Sequence, residues 1–198
     1  MLTKLGGNRV MSEHRSLAEK LVRFCAPTLA NIKTGSLFSC GQCNKCDIDA
    51  EVRKLNRILR DKGLRLIPIV TGKAYILLYL YRVNSLARDM KGEETKKILK
   101  GCGYTGSSPE ICVKQLIERI RENDVFPHEI GLFLGYPPKD VKGFMDNSAQ
   151  NYLLCGRWKV YHDPEKALKA FRSYEICEKK YLDYYRNGYG IEKLAVAG

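Results

Sequence analysis

The chain has 198 residues, 44% of them hydrophobic, which suffices for one packed core and not for several large domains. No apolar run approaches the roughly 18 residues of a membrane-spanning helix, so the sequence predicts no membrane span. The formal charge of +12 is concentrated in the first half of the chain. Such a charge favours nucleic acid, anionic lipid or an acidic protein as a partner. The alternative is that it serves only solubility.

The N-terminal residues lack the hydrophobic stretch of a signal peptide, and we therefore expect a cytoplasmic protein. In that compartment eight cysteines are better explained as thiols or metal ligands than as a disulfide framework. We expect a single α+β domain over residues 1–198, with 1–14 flexible.

The first predicted helix begins after Ser16, which has a glutamate at the spacing of a capping box, and ends at Pro27. Residues 25–40 are predicted to be an extended loop. A second helix, capped by Asp47 or Asp49, is predicted to end at Lys62-Gly63.

Residues 64–82 hold two runs of branched and aromatic side chains around a short glycine-containing loop, the pattern of a β-hairpin. Pro68 places the first strand at an edge or a bulge, and the second strand, apolar on both faces, should be central. Ser108 caps a later helix, residues 157–161 form a lone strand, and Asp163 caps a long final helix. The predicted fold is α+β: a small antiparallel sheet, hairpin 64–82 plus strand 157–161, packed against several helices.

Three thiols within seven residues form the spacing Cys40-x-x-Cys43-x-x-Cys46. Thiolates are soft ligands that suit zinc and iron–sulfur clusters. Ferredoxins begin with the same spacing and add a fourth cysteine, but the corresponding position here is Ala50. Lys45 beside the thiols would lower their pKa and so favour metal binding or redox exchange. These residues predict a zinc or iron–sulfur site.

A fourth ligand would have to come from elsewhere in the chain. Cys25 is the nearest candidate, and His128 and Cys155 qualify only if the fold brings them near. Thiol redox sensing and a loop of unliganded thiols remain alternatives.

A basic helix face carries Arg53, Arg57 and Arg60 a few residues after the cysteines. This face could dock an acidic redox protein such as a flavodoxin. Together these features favour a metal-binding or iron–sulfur accessory protein in redox or iron metabolism.

A DNA-binding regulator is the first alternative function, because residues 129–141 resemble a helix-turn-helix with Gly135 at the turn. Only Lys139 and Lys142 of the second helix could meet phosphate. Residues 127–147 carry a net charge of −1, which argues against a DNA-docking face.

A thiol enzyme that pairs Cys25 with His128 is the second alternative, since such partners need only meet in space. His128 is followed by glutamate, but no second histidine stands at the spacing of the HExxH motif, which excludes that zinc-protease site.

Four blocks, at 25–39, 53–82, 126–144 and 158–161, resemble a bacterial family catalogued as domain of unknown function 3793, found mainly in anaerobic Firmicutes. The resemblance covers most of the chain, and "FPHEIGLFLGYP" is its most specific part. It implies a cytosolic protein of an anaerobe, where oxygen-sensitive clusters persist, and it brings no established activity. Arg157 departs from the family pattern, which has cysteine before the tryptophan. The resemblance places the family's shared role nearer Cys25 and His128 than the cysteine run.

Overall fold

A computed structural model of the protein describes residues 16–41, 45–71, 76–106, 108–122 and 126–198. Its helices are α1 (Leu17–Leu29), α2 (Lys45–Arg60), α3 (Val83–Met90), α4 (Glu93–Gly101), α5 (Pro109–Glu122), α6 (Ile130–Phe133), α7 (Pro138–Asp146), α8 (Pro164–Arg186) and α9 (Ile191–Leu194). Its strands are β1 (Gly35–Cys40), β2 (Leu64–Thr71), β3 (Ile76–Arg82), β4 (Leu154–Cys155) and β5 (Lys159–Val160). The segment predicted to be flexible, 1–14, lies outside the described residues.

The main sheet is antiparallel in the order β1-β3-β2, so the predicted hairpin and its central second strand are confirmed. Pro68 lies in an edge strand, beside a register shift between Pro68 and Val70. Both features match the prediction for this proline, whose missing N–H makes it unsuitable for a central strand.

The third strand of that sheet is β1, and the prediction that 157–161 would supply it was wrong. Strand β1 lies within the segment predicted to be an extended loop, whereas β5 pairs with β4 in a separate two-stranded ribbon. The outer edge of β2 is engaged by side chains. The Asn56 amide accepts from the Leu66 N–H at 3.0 Å and donates to the Leu66 carbonyl at 2.7 Å, and Arg121 donates to the Ile69 carbonyl. That edge is therefore closed to another strand.

The helix boundaries differ from prediction at two places. Helix α1 continues through Pro27 to Leu29. The proline lacks an N–H to donate, but the helix is carried on by the Ala30 N–H, which donates to the Ala26 carbonyl at 2.8 Å. Helix α2 begins at Lys45, before the two aspartates that we expected to cap it.

Helices cover both faces of the sheet, as the apolar faces of β3 require. Leu78 and Leu80 belong to a core shared with α1, α2 and α9, while Tyr79 and Tyr81 belong to a core shared with α3 to α7. Helix α8 packs along α1. The α+β class is thus confirmed. In the part of the chain that the structure describes, no helix has both the length and the apolar character needed to cross a membrane.

Candidate functional site

A cavity of about 540 Å³ opens between α6, α7 and the β4–β5 ribbon. We call it the aromatic cavity. Its lining is mostly apolar, with a few polar groups, and consists of Phe126, Pro127, His128, Ile130, Gly131, Tyr136, Asp140, Val141, Phe144, Cys155, Gly156, Arg157, Trp158 and Lys159. Its size and character are those of small-molecule sites.

The wall of the aromatic cavity is built by ring packing. Trp158 stacks on Tyr136 with ring centroids 4.8 Å apart, and it makes a T-shaped contact with Phe171 at a centroid distance of 4.5 Å. Phe144 lies edge-to-face with His128 at 5.0 Å. Rings that hold one another in place lose little freedom when a flat ligand packs against them, so the wall is pre-organised for a planar group.

Asp140 fixes the ribbon against α7. It is only 2% exposed, and its Oδ1 accepts the backbone N–H groups of Tyr161 and His162, both at 2.8 Å. Its Oδ2 accepts the indole N–H of Trp158 at 2.8 Å. Because the carboxylate is occupied by three donors, Asp140 positions the wall of the cavity and is a poor candidate for contact with a ligand.

Two glycines allow this close approach of ribbon and helices. A methyl group at Gly143 of α7 would overlap the ring of Tyr161, and one at Gly156 of the ribbon would overlap the ring of Phe171. Any side chain at either position would push the ribbon outward and open the wall.

The two cations on the ribbon differ in what balances their charge. Arg157 forms a two-pronged ion pair with Glu178 of α8, with one N–O distance of 2.8 Å. Lys159 donates to the backbone carbonyl of Ala149 at 2.7 Å and lies over the ring of Tyr152. Within the described residues no carboxylate lies at ion-pair distance from Lys159, so its charge is not neutralised by a partner.

The cysteines predicted to bind metal are only partly described. Cys40 ends β1 and is buried, and Cys25 of α1 is close enough to interact with it electrostatically. Cys43 and the side chain of Cys46 lie outside the described residues. Among the side chains that are described, no group of three or more His, Cys, Asp or Glu is arranged to hold a metal. The thiolate centre therefore stays a prediction, and so does the role of Cys25 as its fourth ligand.

The other candidate ligands and the proposed thiol–imidazole pair are separated. His128 and the exposed Cys155 both line the aromatic cavity. Cys25 instead lies fully buried beside Lys33 and Ser36, and burial raises its pKa far above the ordinary value for a thiol. A neutral, buried thiol is a poor nucleophile. The Cys25–His128 enzyme stays a prediction to which these positions lend no support.

The predicted basic face is present on α2. Arg53, Arg57 and Arg60 are exposed, while Val52 and Leu59 on the opposite side are buried in the core. The arginines are thus available to a partner.

The predicted helix-turn-helix has the expected core and turn, since Ile130 is buried and Gly135 has a φ of 77°. However, α6 has only four residues. Lys142 is paired with Asp146 at 2.7 Å, and Lys139 lies 3.5 Å from the ring of His162. These features give DNA binding no support, and it too stays a prediction.

Sequence reasoning missed the residues that build the cavity. Trp158 is the only tryptophan, which is a signal for a site, but the pattern of "RWKVY" by itself predicts only a strand. Asp140, in the first turn of α7, has an ordinary role there at the helix N-terminus. Nothing in the local sequence shows that its carboxylate instead serves the ribbon about 20 residues later.

The chain matches the family described as "Protein of unknown function (DUF3793)" over residues 21–195. This range includes α6, α7, the ribbon and the aromatic cavity. No curated protein matches the chain, and no solved structure does.

Proposed function

The chain belongs to the DUF3793 family, which is described as of unknown function, and we propose that it binds a planar, mostly apolar organic acid in the aromatic cavity. The observation that carries the proposal is the stacked pair of Tyr136 and Trp158 beside the unneutralised ammonium of Lys159. A flat ring would stack on the wall, and a carboxylate would meet Lys159.

The charge pattern selects an acid. Asp140 and Arg157 both line the cavity, but three N–H donors satisfy the first and Glu178 pairs with the second. The ammonium of Lys159 keeps donors beyond the one that it gives to Ala149. A ligand carboxylate would therefore be the counter-charge of Lys159 in surroundings that are largely apolar, where such a pair is stronger than in water.

Trp158 makes the proposal testable without an added label, because it is the only tryptophan. Naphthoate should change its fluorescence in a saturable way, with calorimetry as the second readout. Neutral naphthalenemethanol, of similar shape, should bind about tenfold more weakly, which corresponds to about 1.4 kcal/mol. Lys159→Met should remove that difference by weakening naphthoate alone. Equal binding of both compounds to the wild type would contradict the proposal.

A blocking variant tests the location. Cys155→Phe adds a large ring to the lining of the cavity and should abolish binding. Leu153→Phe is the matched control, because Leu153 is exposed on the same ribbon segment and is not part of the lining. Binding that survives Cys155→Phe would place the ligand elsewhere.

The zinc or iron–sulfur site remains a second candidate function, supported by the electrostatic interaction between the buried thiols of Cys25 and Cys40. Anaerobic purification followed by iron, zinc and acid-labile sulfide analysis should show stoichiometric metal, with sulfide identifying a cluster. The metal should be lost when Cys40, Cys43 and Cys46 are changed to Ser, and retained in Cys112→Ser, a buried cysteine of α5. A metal-free wild type would refute this candidate.

If the metal site exists, the arginine face of α2 is the proposed dock for an acidic redox protein such as a flavodoxin. Changing Arg53, Arg57 and Arg60 to Glu should weaken such binding, and so should added salt, because exposed charges are screened. Binding that is independent of ionic strength would contradict electrostatic docking.

A further inference from the structure

Another cavity, of about 270 Å³, shares Tyr136 with the aromatic cavity and lies between α1, β1 and α8. We call it the Lys33 cleft, after the lysine in the loop between α1 and β1 that helps to form it. Its lining includes Phe24, Lys33, Ser36, Tyr136, Arg157 and Tyr174. It shares Tyr136 and Arg157 with the aromatic cavity but holds a different set of chemical groups.

Lys33 is unusual among the lysines of this basic chain. Its Nζ lies 5.3 Å from the centroid of the Tyr136 ring, and in the described part of the chain no carboxylate comes within ion-pair distance of it. The nearby carboxylate, on Glu178, is already held by both nitrogens of the Arg157 fork. The amine therefore faces a small cavity with an aromatic ring and a second cation as neighbours.

We propose that Lys33 is a reactive amine that forms a reversible imine with a small aldehyde or ketone held in the cleft. Desolvation and a neighbouring cation are the two conditions that make a lysine nucleophilic, because both disfavour its protonated form. The lone pair of the neutral amine attacks the carbonyl carbon, and a proton moves from nitrogen to oxygen to give a carbinolamine. Loss of water then forms the C=N bond, with no oxidant or reductant needed.

The electrostatics of the cleft support this assignment. The pKa of Lys33 is lowered from 10.5 to about 8, chiefly by burial; Cys25 opposes this shift, Arg157 adds to it, and Glu178 opposes it. The titratable and charged groups around the amine are Cys25 from α1, Tyr136 from the loop before α7, Arg157 from the ribbon, and Tyr174 and Glu178 from α8. Near pH 7 such a lysine has roughly 300-fold more free amine than an ordinary one.

Reductive trapping provides the experiment. The whole protein is treated near pH 7 with limiting propanal and cyanoborohydride, which fixes an imine as a propyl-amine, and the modified lysines are located by peptide mass spectrometry. Lys33 should be modified about tenfold faster than the exposed Lys54 of α2. The factor is smaller than the gain in free amine, because an amine that is a weaker base is also a weaker nucleophile. The pH midpoint of its labelling should be about 8. Labelling at the rate of Lys54, or a midpoint near 10.5, would overturn the proposal.

Variants separate reactivity from mere exposure. Lys33→Arg should remove the fast phase of labelling, and Lys54→Arg should leave it intact. Arg157→Gln should raise the midpoint of Lys33, because it removes a cation and releases Glu178. Glu178→Gln should lower the midpoint, and an unchanged midpoint in either variant would refute the part assigned to the neighbours. The wild-type measurement decides the proposal even where a variant does not fold.

Discussion

The three hydrogen bonds of Asp140 make a sharp prediction for stability. Asp140→Ala leaves the indole N–H of Trp158 and the backbone N–H groups of Tyr161 and His162 without their acceptor. Bonds to a charged group contribute about 1.5–3 kcal/mol each but are not additive, and water can reach the partly exposed ribbon. We expect the free energy of unfolding to fall by about 3 kcal/mol.

Asp140→Asn tests the same reasoning more finely. An amide oxygen can still accept both backbone N–H groups at the Oδ1 position, but its NH₂ would face the indole N–H of Trp158, donor against donor. The loss should then be about 1–2 kcal/mol, with a red shift of the Trp158 emission as the ring loosens.

Urea unfolding followed by both circular dichroism and Trp158 fluorescence measures these changes. Asp146→Asn is the matched control, because Asp146 is an exposed residue of the same helix with one surface ion pair, and its loss should fall within about 0.5 kcal/mol. Equal losses for Asp140→Ala and Asp140→Asn, or a loss below about 1 kcal/mol for Asp140→Ala, would refute the three-donor account.

Three further substitutions test other parts of the structure. Gly143→Ala, which forces a methyl group into the ring of Tyr161, should lower the free energy of unfolding in urea by about 1–3 kcal/mol. Gly101→Ala is the control, because no atom lies within 4 Å of the added carbon, and it should not destabilise the protein. Equal effects of the two substitutions would contradict the close packing. Because the pKa of Lys33 is lower in the folded state, the charged amine destabilises the fold. This destabilisation is complete below about pH 8 and disappears by about pH 10.5. Lys33→Met should therefore be more stable than wild type at pH 7, and a gap that does not close towards pH 10 would refute this linkage. Arg82→Met removes donors to three backbone carbonyls and should lower the free energy of unfolding by about 3 kcal/mol, while Arg88→Met, on an exposed arginine, should change little.

Local sequence patterns predicted the features of the fold that depend only on neighbouring residues. Ser16 accepts from the Glu19 N–H at 3.2 Å, and the hydroxyl of Ser108 and the carboxylate of Asp163 cap their helices as predicted. Pro68 marks an edge strand for the same reason, because a missing N–H is a local property. Side-chain patterns alone did not reveal β1, since "GSLFSC" is short and stands between a helix and the cysteine run.

Interactions between distant parts of the chain could not be predicted in this way. Which segment becomes the third strand depends on pairings between distant segments: β1 pairs with β3, and β5 pairs with β4. Asn56 closes the other edge of the sheet from a helix ten residues away. The aromatic cavity likewise combines residues of α6, α7 and the ribbon. The contact between Asp140 and Trp158 is invisible until the two are folded together.

The sequence by itself determined the α+β class, the hairpin with its central strand and the capped helices, because these three follow from local spacing and composition. It also identified the family, through blocks of residues that match the family's own. Only the tertiary structure decided that Cys25 is buried beside Cys40, that His128 and Cys155 share a cavity instead, and that Lys159 and Lys33 lack a carboxylate partner within the described residues. The physical reason is that the burial of a side chain and the pairing of its charge depend on the residues that surround it. Those surroundings are assembled from residues far apart in the chain.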